Sequence, residues 1–223
     1  MKLFGVRGSP FLISVIAVIA ATVLIIILTV VSTANKLSFS ATFYFVCYSV
    51  EDNAISASSV SDAVSSYGGA GYVLEYRGEY FVTVSCYYEK SNAEKVCESL
   101  KRRNLECEVL KIETDEYSLP ASADKNLYLG NLNTLLSLST LAYECANKLD
   151  TGEYGQANAK NVISDIKTGI NGLLNANKSN CFTQNLKRLI SLCNETGGGI
   201  VYSKDLRKLQ IAIADDIINI NLR

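Results

Sequence analysis

The 223-residue chain has no histidine and no tryptophan, one methionine and only two prolines. Without histidine it cannot assemble a Ser/His or Cys/His nucleophile pair, and every zinc site that uses imidazole is excluded. An excess of either charge is also missing: Lys+Arg is 21 and Asp+Glu is 22, for a net charge of −1. The only cationic cluster is Lys101-Arg102-Arg103, so no nucleic-acid partner is expected. No two cysteines are spaced as C-x-x-C. The seven thiols, Cys47, Cys86, Cys97, Cys107, Cys145, Cys181 and Cys193, form a poor disulfide framework and read as small buried hydrophobes. No enzyme, metal or cofactor is expected.

What the chain does have is one long apolar run. Residues 11–31 (FLISVIAVIAATVLIIILTVV) carry no charge. As an α-helix, 21 residues reach about 30 Å, the thickness of a hydrocarbon core. Lys2 and Arg7 precede the run and Lys36 follows it. That bias predicts residues 1–10 in the cytoplasm, a single-pass anchor in the cell membrane and extracytoplasmic C-terminal domains. A cleaved signal peptide is the competing reading, with Ser32, Thr33 and Ala34 at its cleavage site. The run exceeds the ~7–15 residues of a signal-peptide core, which favours a retained anchor.

Beyond the run the chain repeats itself. YFVCYSVEDNAISASSV at 44–60 returns as YFVTVSCYYEKSNAEKV at 80–96. Residues 32–41 read as a linker. Residues 43–49 (FYFVCYS) are aromatic and β-branched, a strand pattern. Residues 53–67 place Ala57, Val60 and Val64 at helical spacing, and Gly68, Gly69 and Gly71 end that helix. Two strands follow, 72–76 and 80–85, joined by a tight turn at 77–79. Ser91, with Glu94 three residues on, predicts a capped helix bearing Ala93, Val96, Cys97 and Leu100. Residues 106–112 (ECEVLKI) predict a fourth strand. The order is βαββαβ over 42–113, two half-domains that bury their apolar sides together.

Period two assigns the two sheet faces. Tyr44, Val46 and Tyr48, with Tyr80, Val82 and Val84, are expected to face the two helices. Phe45, Cys47, Ser49, Phe81, Thr83 and Ser85 then form an open face, a candidate ligand platform unless the C-terminal segment covers it.

Residues 114–124 read as a second linker and 125–223 as four amphipathic helices in an antiparallel bundle. Their stripes are Leu132, Leu135, Leu136, Ala142 and Leu149; Ile163, Ile166, Ile170 and Leu173; Phe182, Leu186, Leu189, Ile190 and Cys193; and Leu206, Leu209, Ile213, Ile217 and Ile220. Ile211 and Ile218 fall off the last stripe and are expected to widen the core contact. Glu106 and Glu108 share one side of the fourth strand, where alternation on a solvated edge explains them without catalysis.

The two quoted stretches carry a resemblance. Tyr80-Phe81-Val82-Thr83-Val84-Ser85, then Asn92-Ala93-Glu94 and Leu100, is similar to the second half of a SPOR (sporulation-related repeat) domain. Phe45-Val46-Cys47-Tyr48-Ser49-Val50 followed by Asn53-Ala54 resembles the first half. Cys47 stands where that family has Gln, and Ser49 and Ser85 where it has Gly. The resemblance implies a ribonucleoprotein-like fold that binds peptidoglycan glycan strands stripped of stem peptides, at the septum in cell division or sporulation. It also implies division or sporulation proteins as partners. The expected fold class is therefore α+β: an N-terminal transmembrane helix, a βαββαβ SPOR domain and a C-terminal antiparallel helical bundle. Two functions follow. In one, sugars lie over Phe45 and Phe81 while Ser49, Thr83 and Ser85 hydrogen-bond them. In the other, the domain has lost glycan binding and serves as a protein-interaction scaffold. A bundle packed across Phe45 and Phe81 would favour the second.

Overall fold

The structure, a computed structural model, describes residues 36–119, 122–177 and 182–219. Four strands and six helices occur among them, in the order β1 (Lys36–Glu51), α1 (Ala54–Ser66), β2 (Tyr72–Tyr76), β3 (Glu79–Tyr87), α2 (Lys90–Lys101), β4 (Glu108–Ser118), α3 (Lys125–Asp150), α4 (Gln156–Ala176), α5 (Phe182–Gly197) and α6 (Ser203–Ile218).

The strands form one antiparallel sheet in the order β2-β3-β1-β4. The two repeated stretches pair with each other at its centre, from Tyr44 opposite Tyr87 to Glu51 opposite Tyr80. Local chemistry sets the joints. Asn53 caps α1 by accepting a hydrogen bond from the Ser56 amide at 2.9 Å. Arg77 and Gly78 both have positive φ, 55° and 84°, as a two-residue hairpin turn of the twist-matching kind requires. The Asp124 carboxylate accepts from the amides of Asn126 and Leu127 and starts α3.

Helices α1 and α2 cover one face of the sheet. Val82 packs with Ala57 and Val64 of α1, and Val46 with Ala93 and Cys97 of α2. Helices α3 and α6 lie against the other face. Helices α4 and α5 pack on each other and on α3 and α6, outside that pair. Ile163, Ile166, Ile170 and Leu173 of α4 are buried, as are Phe182, Leu186, Leu189 and Cys193 of α5.

Several expectations are corrected. The fold class was expected to include a transmembrane helix, and the protein to be a single-pass membrane protein with extracytoplasmic domains. Among the described residues no helix is long and apolar enough to cross a membrane, so that arrangement is not supported. The run at 11–31, on which both expectations rested, lies outside the described residues. Residues 36–41 and 114–118, read as linkers, are strand: Lys36 pairs with Ser118 and Leu37 with Tyr117. Polar residues alternating with Leu37, Phe39 and Tyr117 gave that stretch a linker-like composition, yet these three are buried. The N-cap of α2 lies before Ser91: it is Glu89, which makes no side-chain capping bond. Two cysteines read as separate hydrophobes are bonded: Cys97 of α2 and Cys107 before β4 form a disulfide, with Cα atoms 5.8 Å apart.

The disulfide closes a loop with a sequence separation of 10. Closing a loop of that size limits the unfolded chain by about 2–3 kcal/mol. Cys97→Ala and Cys107→Ala should each lower the unfolding free energy by about that amount, with no further loss on adding a reductant. Urea titrations with and without reductant measure this, and equal midpoints for wild type and variants in the absence of reductant would refute it.

Candidate functional site

The proposed ligand face is a core. Phe45, Cys47 and Thr83 are fully buried and Phe81 is 5% exposed. Phe45, Cys47 and Phe81 belong to one continuous cluster with Leu132 and Leu135 of α3 and Leu209, Ile213 and Ile217 of α6. Phe43 lies in the same cluster, its ring 6.2 Å from that of Phe45 and 6.0 Å from that of Tyr88. The Thr83 hydroxyl donates to the Tyr72 carbonyl at 2.9 Å. Burial pushes the Cys47 thiol up to about 12, with Glu108 adding to the effect, so this thiol stays protonated and inert.

The two serines are on the opposite side. Between β1 and β3 the register slips twice: Val46 pairs with Ser85, Cys47 with Thr83 and Ser49 with Val82. Val84 and Tyr48 are left over, one extra residue on each strand. Each such bulge reverses the alternation beyond it. Ser85 therefore shares a face with Val46, and Ser49 with Val82, under α1 and α2. Their hydroxyls are buried without a hydrogen-bond partner. Period-two counting assumed an unbroken ladder and so joined six residues that the structure divides four and two. Nothing in the local sequence marks the slips, since neither Tyr48 nor Val84 is a residue that favours bulges.

Sequence reading also missed the polar seam that holds the helices on the sheet. Gln210, fully buried on α6, donates from Nε2 to the Cys86 carbonyl at 3.0 Å. Tyr88 donates to Ser139 at 2.8 Å, and Ser139 donates to the Gln210 carbonyl. Tyr117 donates to the Ile217 carbonyl at 2.8 Å. At the β2 edge four side chains interlock. Tyr72 donates to Asp215 at 2.5 Å, and Arg188 of α5 donates to the Tyr72 oxygen at 2.9 Å and to Asp215 at 3.4 Å. Arg188 also pairs with Asp216.

The electrostatics of this cluster follow from burial. Asp216 is 4% exposed, and burial pushes its carboxyl up to about 6 while Arg188 opposes the shift. One of its oxygens, Oδ2, has no partner. Burial and the neighbouring Asp215 raise the Tyr72 phenol. Burial works against the Arg188 charge, but Tyr72 and Asp216 outweigh it and raise the group.

Two hollows flank these features. A polar cleft of about 690 Å³ opens beside the cluster, lined by Glu75, Arg77, Arg188, Asp215 and Asp216 among others. A smaller, more apolar groove of about 210 Å³ lies between the C-terminal ends of α1 and α2. Among the described residues no group of three or more acidic or cysteine side chains is placed to hold a metal ion. Glu106 and Glu108 are both exposed. Comparison with known proteins finds no matching family model, curated protein or solved structure.

Two outcomes test this description. Phe45→Ala and Phe81→Ala should each cost about 3–5 kcal/mol in urea unfolding, as for large core aromatics. A loss under about 0.5 kcal/mol, the value for surface sites, would mean the face is open. The second concerns pH. Asp216 takes up its proton at higher pH in the folded chain than in the unfolded one. Between about pH 4 and 6 the folded state therefore holds more protons, and stability from this group rises as pH falls. Asp216→Asn removes that increment, so the stability difference should move towards the wild type between pH 7 and pH 4.5. A flat difference would show that burial does not raise this carboxyl.

Proposed function

We propose that this chain is a non-catalytic protein-interaction scaffold: a SPOR-like βαββαβ domain that no longer presents its sheet to glycan. The observation that carries this reading is the packing of α3 and α6 across Phe45, Cys47, Phe81 and Thr83. A glycan chain needs an exposed aromatic surface with hydroxyl-bonding groups beside it. Here the aromatics are in the core, the Thr83 hydroxyl is used by the Tyr72 carbonyl, and Ser49 and Ser85 lie under the other helix pair. Cys47, in place of an amide, offers only a weak donor that points to the Phe45 carbonyl at 3.8 Å.

Opening the face for a ligand would separate α6 from the sheet. That would leave Gln210 and Tyr117 without buried partners, at about 1–3 kcal/mol for each group, in addition to the lost apolar contact. Weak sugar contacts of about 1 kcal/mol each do not offset such a loss. Division or sporulation proteins are the partner class that the resemblance implies.

The test is sedimentation of the full chain with purified sacculi, intact and amidase-stripped. The scaffold reading expects retention on both to equal that of an unrelated globular protein of similar charge. Selective retention on stripped sacculi would overturn it.

A further inference from the structure

We infer that the groove between α1 and α2 docks a short peptide segment of a partner protein, one that carries an aromatic or leucine side chain flanked by acidic residues. This rests on the scaffold reading and names the surface and partner chemistry that reading leaves open.

The groove is made by the features that disrupt the regular sheet. The two extra residues of the paired bulges, Tyr48 and Val84, both line it. Bulges redirect side chains, and here the slip turns Tyr48 outward to 36% exposure while its neighbours Phe45, Val46 and Cys47 are fully buried. The far wall is backbone. At Gly69 an added Cβ would come within 2.7 Å of the Val64 side chain and 3.2 Å of Val84. The Ala70 amide, next along, bonds the Val84 carbonyl at 2.9 Å and fixes the wall to the bulge. At Gly71, with φ +55°, an added Cβ would come within 2.4 Å of the Ser61 carbonyl oxygen, so the chain there requires glycine. Leu100 and Leu105 close the opposite side.

Exposure and charge point to the occupant. Tyr67, at the lip, is 81% exposed, a large aromatic left in water beside an apolar slot. The slot has room for about one large side chain, not for an extended ligand. Arg103 is the charged residue lining it, and among the described residues it has no ion-pair partner. An apolar slot with one unpaired cation in its lining is complementary to an apolar anchor with a carboxylate beside it. Arg103 steers the encounter and sets orientation, while the buried anchor supplies most of the affinity.

The experiment is selection of a random dodecapeptide phage library on the full chain. The enriched peptides should share an aromatic or leucine residue with Asp or Glu next to it. A synthetic peptide of that consensus should bind about tenfold more weakly to Tyr67→Ala and to Arg103→Glu, and equally to wild type and Lys187→Glu. All three positions are exposed, so the variants keep the fold. Selection without enrichment, enrichment of peptides lacking acidic residues, or binding indifferent to both groove variants overturns the inference. So does self-association abolished by Tyr67→Ala, which would assign the groove to a second copy of the chain. Glycan plays no part in this measurement, so its failure leaves the sacculus result standing, and the reverse also holds.

Discussion

The structure depends on keeping water from both faces of one sheet. In β1 three consecutive residues, Phe45, Val46 and Cys47, are fully buried. Successive side chains point to opposite faces, so a strand buried at consecutive positions must be covered twice. Helices α1 and α2 cover the side of Val46 and Val82. The side of Phe43, Phe45, Leu74, Phe81 and Cys86 is covered only by the C-terminal helices. Each large side chain there is worth about 1.5–3 kcal/mol when removed from water. A domain ending after β4 would leave that whole face wet. The sheet and the four following helices thus form one core, although they read as two domains.

Helix α6 shows how that core is closed. Leu206, Leu209, Gln210, Ile211, Ala212, Ile213, Ala214, Asp216 and Ile217 are all buried, which leaves no solvent stripe over its second half. A helix apolar around its circumference belongs between layers. The signal was present in the sequence: Ile211 falls off the stripe of Leu209, Ile213 and Ile217, and a second apolar direction on one short helix means a second surface to cover. The sheet contributes that surface. Elsewhere, legibility followed the strength of local patterning. The repeat, the tight turn at 77–79 and the stripes of α4 and α5 were readable because each is set within a few residues. The bulges, the 97–107 disulfide and the extension of β1 and β4 into apparent linkers were not. The bulges and the strand extensions depend on partners far along the chain, and the disulfide on how α2 and β4 pack, none of which composition and spacing reveal.

The six-residue ligand face fails for the same reason. Counting alternate residues is correct on either side of a bulge and wrong across it. Phe45 and Cys47 lie before the slip in β1, and Phe81 and Thr83 before the slip in β3; these four stay together. Ser49 and Ser85 lie beyond and change sides. The slips also place Tyr48 and Val84 at the groove above α1 and α2. One irregularity therefore removes hydroxyls from one face and builds an apolar slot on the other.

The polar seam has a separate task from the apolar core. Asp216 is buried with an oxygen unpaired, and its carboxyl is displaced towards the neutral form, so the Arg188 pair adds little net stability at neutral pH. What it adds is position. Arg188 comes from α5, Asp215 and Asp216 from α6 and Tyr72 from β2, so their bonds form only when three elements meet in one register. Gln210 to the Cys86 carbonyl and Tyr117 to the Ile217 carbonyl repeat the restriction along α6. An apolar helix on an apolar sheet is free to slide by a turn, because one leucine packs much like another. Hydrogen bonds to fixed carbonyls remove that freedom, since a shifted helix would bury the same groups unpaired. Apolar burial thus makes the helices cover the sheet, and the seam decides where on it they come to rest.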